Sequence, residues 1–270
     1  MLREVPWRFI KSLSGKKERE KTGMTVVEGP PSVMMALETG VDIEYLVMSR
    51  SFFSSPSGAE VSRLLERGPA PRQVFTVPDE LFERMSETKS PQGVLCVVGV
   101  PFRFKETVPK SPWDKQLEVV GVDIQDPGNV GTLVRTASAV GASSVVFLGS
   151  GADPFSPKCI RASAGTVFRV AVRSPRRDVS PTGYLLKRRS EGMEICKTVP
   201  RRGVSPWEAD LTKSLCLVFG NEAKGLDDEV LSVPGLEISI PMPGGTESLN
   251  VAVASGMILY EALRQRMGHS

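Results

Sequence analysis

Two apolar runs near the carboxyl end, Leu215–Phe219 and Leu236–Ile240, have strand length, and each runs straight into a loop rich in Gly, Pro, Asn, Glu and Ser. A long helix follows, with Val251, Ala254, Ile258, Leu259, Ala262 and Leu263 spaced as one apolar stripe. This succession points to an open α/β sheet, in which ligands sit in the loops beyond the carboxyl ends of the strands. Asn221, Glu222, Ser248 and Asn250 fall in those loops. Ala252, Ala254 and Gly256 keep the first turns of the helix thin, which suits close packing against a ligand, another helix or a second subunit.

The same alternation starts much earlier. Strands are expected over 24–29, 43–48, 73–77 and 93–98, separated by helices that open at Pro30-Pro31 and span 58–67 and 78–85. They make a compact α/β domain over 23–99, preceded by a basic helical arm over 1–22. Residues 100–116 lack an apolar period and read as a linker. A second α/β domain spans 117–268. Its earlier strands are Leu117–Val122, Ser144–Leu148, Val167–Val172 and Glu194–Thr198, with helices starting near Val130 and over 156–165 and 183–190.

Composition narrows the chemistry. The net charge is only +3, so basic character is local: Lys16, Lys17, Arg19 and Lys21; Arg173, Arg176 and Arg177; Lys187, Arg188 and Arg189; Arg201 and Arg202. Such clusters suit phosphate contacts and equally suit solvated surface. His269 is the only histidine and sits in the tail, which removes Ser/His/Asp triads and most metal sites. Cys96, Cys159, Cys196 and Cys216 form no CxxC pair and read as reduced core residues of a cytoplasmic protein. No apolar run has membrane-spanning length, and neither GxGxxG nor a P-loop is present.

Within the second domain three segments carry polar groups beyond what folding needs. Asn129 and Arg135 lie on or near the start of one helix, where free N–H groups favour a phosphate; Asn129 is also read as the helix cap. In FGNEAKGL, Gly220 permits a tight turn or close backbone approach, and Glu222 could hold a polar partner. In IPMPGGTESLNV, Ser248 or Asn250 is a candidate helix cap or a site residue.

Taken together, NVGTLVRTASAVGA, LVFGNEAKGL and ISIPMPGGTESLNVAVASGMILYEALRQ resemble the three motifs of the SpoU (TrmH-like) RNA ribose 2′-O-methyltransferases of the SPOUT superfamily. SPKCIRASAGTVFRV is similar to a stretch between the first two motifs, and VVEGPPSVMMAL and TKSPQGVLCVV resemble the substrate-binding domain often fused to this family. One departure is Ala223, where the family usually has Gly after its glutamate.

The resemblance implies a trefoil-knotted carboxyl-terminal domain with a parallel sheet, a homodimer with the active site completed across the interface, and S-adenosylmethionine as cofactor. Gly220, Ile240 and Leu249, with their neighbours Phe219 and Met242, are implied to hold it. Arg135, Asn129, Glu222, Ser248 and Asn250 are implied as catalytic, with Arg135 serving either as base or as an electrostatic clamp on the alkoxide and adjacent phosphate, and Glu222 orienting Arg135 or Asn129. Arg135, Lys158, Arg161, Lys16 and Lys17 are expected to meet RNA. The amino-terminal domain points to large-subunit ribosomal RNA rather than tRNA. A non-catalytic RNA-binding assembly factor is the reading from another class.

Overall fold

The computed structural model describes residues 4–100, 111–174 and 179–268. His269, Arg176, Arg177 and positions 101–110 of the expected linker lie outside them. The chain divides into two compact units, and Phe155–Arg169 belongs to the first although it comes late in sequence.

The first unit begins with two short helices, α1 (Trp7–Ser12) and α2 (Lys16–Thr22). They are docked rather than extended: Ile10 and Leu13 are buried with Val26, Val47, Phe82, Met85 and Leu95. The Arg19 guanidinium is buried too, and donates to the Leu13 and Ser14 carbonyls at 3.2 and 2.6 Å, satisfying groups that the end of α1 leaves open. The elements that follow are β1 (Met24–Glu28), α3 (Pro30–Glu38), β2 (Ile43–Ser49), α4 (Arg50–Phe53), α5 (Pro56–Arg67), β3 (Gln73–Val77), α6 (Asp79–Met85) and β4 (Val94–Gly99). The sheet order is β1-β4-β2-β3; β4 runs antiparallel to both neighbours and β2 pairs parallel with β3.

In the second unit β5 (Leu117–Val122) leads into α7 (Pro127–Ala139), and β6 (Ser144–Leu148) follows. The chain then passes through the first unit as α8 (Pro157–Ala162). There Thr25 Oγ1 donates to the Phe155 carbonyl at 2.7 Å. At Gly165, with φ +80°, a Cβ would stand 2.8 Å from Ser32 Cα, so α3 and this turn approach too closely for a side chain. This turn also shortens the strand expected over Val167–Val172. Thr166–Phe168 forms a 3₁₀ turn that buries Val167 and Phe168, and the strand, β7, is only Ala171–Arg173.

The remaining elements are α9 (Pro181–Ser190), β8 (Glu194–Thr198), β9 (Leu215–Phe219), α10 (Asp228–Leu231), β10 (Leu236–Ile238) and α11 (Val251–Met267). The sheet runs β10-β8-β9-β5-β6-β7, and every neighbouring pair is parallel. Central β5 and β9 are buried along their whole length, which is why they read as continuous apolar runs. Leu185 of α9 and Val230 of α10 join Val120, Val146, Ile195 and Val218 in one core, while α7 packs against α11. The four cysteines are free and buried. Burial pushes the Cys196 thiol up to about 12, so it is inert at neutral pH.

A parallel sheet brings the carboxyl ends of β5, β8, β9 and β10 to one edge. The loops gathered there form the candidate site.

Candidate active site

The amino end of α7 anchors the site. Asp126 is in extended conformation, Pro127 takes the first helical position, and Asp126 Oδ1 accepts the Asn129 N–H at 3.0 Å. Asp126 is therefore the cap. The expectation that Asn129 caps a helix starting near Val130 is corrected: the proline starts the helix three residues earlier, and the Asn129 side chain is left free to point elsewhere.

It points at the loop after β9. Asn129 Nδ2 donates to Glu222 Oε1 at 2.9 Å, and the Gln125 and Asp126 backbone N–H groups donate to the same carboxylate at 3.2 Å each. Partial burial would raise the Glu222 pKa, but the Asn129 amide and these backbone donors outweigh it and hold the carboxyl below its ordinary value. Glu222 is thus ionised at neutral pH and joins the β5 and β9 loops.

The third loop enters through Asn250. Its Oδ1 accepts the Ala252 and Val253 N–H groups at 2.8 and 3.3 Å, so Asn250 caps α11. Its Nδ2 donates to Asn129 Oδ1 at 3.1 Å. The one side chain both caps α11 and reaches the Asn129 amide.

Asn221 builds the β9 loop from inside. Its Nδ2 donates to the Asp123 carbonyl at 2.9 Å, and its Oδ1 accepts from the Ala223 and Lys224 N–H groups at 2.9 and 3.0 Å. The turn needs left-handed backbone at Gly225 (φ +71°), not at Ala223, so the alanine fits without strain. Gly220 is different: a Cβ there would lie 2.5 Å from the Gly225 carbonyl carbon.

A pocket of about 390 Å³ opens beside this network. Phe219, Gly220, Ile240, Met242 and Leu249 all line it, as do Glu222 and Ser248. Its walls are mainly apolar, with a few polar groups at one side, the usual make-up of a small-molecule site. Sequence reasoning missed Thr198, Val199 and Pro200, which supply a wall from the end of β8. Only the sheet order, with β8 between β9 and β10, reveals that role.

Arg135 is exposed on α7 and, among the described residues, makes no side-chain hydrogen bond or ion pair. Glu222 holds Asn129, not Arg135. Ser248 is exposed at the pocket wall. Lys16, Lys17, Lys158 and Arg161 lie in the first unit. Lys16 pairs loosely with Glu20 at 3.9 Å, and one Arg161 terminal nitrogen is buried without a hydrogen-bond partner. Among the described residues no group of three or more His, Cys, Asp or Glu side chains is placed to hold a metal, and no helix is long and apolar enough to cross a membrane.

Residues 116–260 match the family model described as SpoU rRNA Methylase family, and residues 8–96 match the MRM3-like substrate binding domain. The 23S rRNA (guanosine(2553)-2′-O)-methyltransferase RlmP of Bacillus subtilis is 33% identical, over 93% of this chain and 92% of its own. The tRNA (guanosine(18)-2′-O)-methyltransferase of Escherichia coli K12 is 37% identical, over 56% of this chain and 64% of its own. The structure of the SpoU methyltransferase AviRb from Streptomyces viridochromogenes, in complex with the cofactor AdoMet, superposes with a TM-score of 0.81. It is 28% identical, with 98% of this chain and 99% of that chain covered.

Proposed function

The chain belongs to the SpoU rRNA methylase family, and from that premise we propose that it transfers the methyl group of S-adenosylmethionine to a ribose 2′-hydroxyl of large-subunit ribosomal RNA. The observation that carries the reaction is the Glu222–Asn129–Asn250 network, which joins three strand-end loops beside a pocket of cofactor size. The choice of ribosomal RNA rests on coverage. The RlmP relative matches along both units, whereas the tRNA relative matches 56% of the chain. The match to a substrate-binding domain over residues 8–96 supports the same choice.

The pocket suits the cofactor. Ile240, Met242 and Leu249 offer apolar contact to an adenosine, and Gly220 leaves backbone bare where a side chain would not fit. S-adenosylmethionine, when bound, supplies a methyl already activated on a sulfonium, so the protein has to orient the acceptor oxygen and manage its proton. Asn129 and Asn250 orient the ribose, with Glu222 fixing which way the Asn129 amide faces. Ser248 adds a hydroxyl at the pocket wall. Arg135 clamps the neighbouring phosphate and stabilises the developing alkoxide. Lys16, Lys17, Lys158 and Arg161 contact RNA from the first unit.

The trefoil knot of the family and a cytoplasmic location are part of this reading. So is a homodimer. Val253, Met257 and Tyr260 are 49%, 51% and 67% exposed at successive turns of α11, an apolar stripe suited to a second copy. Arg135, exposed on the helix that packs against α11, then serves the substrate held by that second copy.

The reading is tested by incubating the protein with methyl-labelled S-adenosylmethionine and, in separate arms, unmodified large-subunit rRNA transcript, unmodified ribosomal particles and unmodified bulk tRNA. Label in rRNA at an alkali-resistant linkage is expected. Label in tRNA alone would overturn the choice of RNA, and cofactor binding without label in RNA or ribosomal particles would favour a non-catalytic assembly factor.

A further inference from the structure

The Arg201–Arg202 pair is a basic cluster that the reaction described above leaves unused. Both side chains are exposed, and among the described residues neither forms an ion pair or side-chain hydrogen bond. They line a second cavity, of about 340 Å³, together with Ser205, Ser239 and Thr246. No carboxylate lines it. Its remaining walls include Pro200, Ile240 and Met242, which also line the cofactor pocket. The two cavities are therefore neighbours across one layer of residues.

The loop that presents the arginines is held firmly. Val204 N donates to the Glu237 carbonyl at 2.8 Å, and Ser239 N donates to the Val204 carbonyl at 3.0 Å. Ser239 Oγ both accepts from Gly203 N at 3.1 Å and donates to Gly203 O at 2.9 Å. A Cβ on Gly203 would stand 2.7 Å from the Ile238 carbonyl carbon, so this backbone seats directly on the end of β10. Arg202 itself has φ +66°, a left-handed conformation rare for a residue with a side chain. Nothing in the local hydrogen bonding rewards an arginine there. A strained backbone held rigid by its neighbours, carrying an unpaired charge at a cavity mouth, is the pattern of a binding position.

We infer that Arg201 and Arg202 clamp a backbone phosphate of the substrate RNA in the cavity that adjoins the cofactor pocket. The inference rests on the methyltransferase reading and deepens it by naming where the RNA strand passes. Guanidinium forks suit phosphate oxygens, and the Ser205 and Thr246 hydroxyls give neutral donors beside them. A carboxylate has the same appeal to an arginine, so the methionine end of the cofactor is the competing anion, and the test separates the two.

The test uses the full chain and the unmodified large-subunit rRNA transcript, with binding read by filter retention over a series of KCl concentrations. Cofactor affinity is read separately by calorimetry. The R201Q/R202Q double variant should weaken RNA binding about tenfold at physiological salt and flatten the plot of log affinity against log salt by about 0.7 per arginine removed. Its cofactor affinity should stay within about twofold. Arg202→Gly tolerates φ +66° and removes the charge without strain, so it should flatten the slope by about 0.7, half of the double variant's change, while melting no lower than wild type. The double lysine variant should recover most of the slope, since counterion release counts charges. Weakened cofactor binding with an unchanged slope would assign the arginines to the cofactor carboxylate and overturn the clamp. Unchanged RNA and cofactor binding would make them solvated surface. Because the binding arm needs no turnover, a failure of methyl transfer in the labelling experiment is scored independently of the clamp.

Discussion

Asn250 donates from Nδ2 to Asn129 Oδ1 at 3.1 Å, across 121 residues of chain, while its own Oδ1 caps α11. The helix fixes the orientation of one amide, that amide fixes the next, and Asn129 in turn must present its NH₂ to Glu222. Site geometry is thus set by secondary structure. Asn250→Asp separates the two roles. Aspartate caps as well as asparagine, so the melting temperature should stay close to wild type, but it presents an oxygen to the Asn129 oxygen. We expect kcat to fall at least about tenfold, a loss of roughly 1.4 kcal/mol. Asn250→Ala should cost about 1 kcal/mol of stability in addition. Equal activity in wild type and the aspartate variant would show that the amide contact is incidental.

Glu222 titrates below the ordinary carboxylate value because the Asn129 amide and two backbone N–H groups, at Gln125 and Asp126, prefer its charged form over the opposing effect of burial. A depressed folded-state pKa contributes stability that is present above the unfolded value, 4.5 here, and is lost as pH falls through the folded value. Glu222→Gln keeps the shape but has one acceptor oxygen for the donors that two now serve. It should cost about 1–2 kcal/mol at pH 7. Urea denaturation from pH 7 to pH 3 should show the gap between variant and wild type shrinking below pH 4.5. A gap that stays constant with pH would mean that the charge of Glu222 contributes nothing.

Gly220 faces the backbone of Gly225 and Leu226 so closely that a methyl group would sit 2.5–2.6 Å from their atoms. Gly220→Ala must push the two limbs of the β9 loop apart, and the pocket that they line with them. Calorimetry should find S-adenosylmethionine binding weakened more than about tenfold, with a loss of stability in the 1–3 kcal/mol range of overpacking. Ala223→Gly, three residues on and free of backbone strain, should leave cofactor affinity unchanged. Normal cofactor binding by Gly220→Ala would place the cofactor away from this turn.

These contrasts also mark how far the sequence could be read. The apolar runs of β5, β6 and β9 were legible because burial on both faces leaves little but Val, Leu, Ile and Phe. Phe219, Gly220, Ile240, Met242 and Leu249 were legible through their motifs, and all of them line the pocket. What was hidden is non-local. Nothing in Thr198-Val199-Pro200 announces a pocket wall until β8 is known to pair with β9 and β10. The partner of Glu222 was open between Asn129 and Arg135, because the choice depends on the cap at Asp126 releasing the Asn129 side chain. Val167 and Phe168 have strand character, yet the left-handed turn at Ala164 and Gly165 sends them into the first unit's core instead.

Far from the loops, Glu118 is buried at the start of β5, where it accepts from Ser144 Oγ at 2.7 Å, Tyr184 Oη at 2.9 Å and Arg188 Nε at 2.9 Å. Arg188 is only 18% exposed at its side chain, so removing the carboxylate leaves this largely buried guanidinium with Glu191, at 2.6 Å, as its remaining ion-pair partner and takes the acceptor from Ser144 and Tyr184. Glu118→Ala should therefore destabilise the protein by about 2–3 kcal/mol, the cost of buried donors left without an acceptor, while leaving the cofactor affinity of the folded fraction unchanged. A variant that melts like wild type would mean that Arg188 finds other partners or water at little cost.

Arg135 supplies the most discriminating test of the proposed assembly. It is exposed, it makes no contact with Glu222, and it stands on a helix that packs against α11, whose Val253, Met257 and Tyr260 face outward. If each copy lends its arginine to the other, Arg135→Ala and Asn129→Ala damage different chains' contributions to any one site. Each homodimer should be nearly inactive. Heterodimers of the two variants, purified through two tags, should regain about half of the wild-type rate per dimer, because one site then lacks both groups and the other lacks neither. If Arg135 serves the site of its own chain, every site in the mixed dimer keeps one lesion and no activity returns. Methyl transfer by the mixed dimer thus decides between a site closed within one chain and a site shared by two.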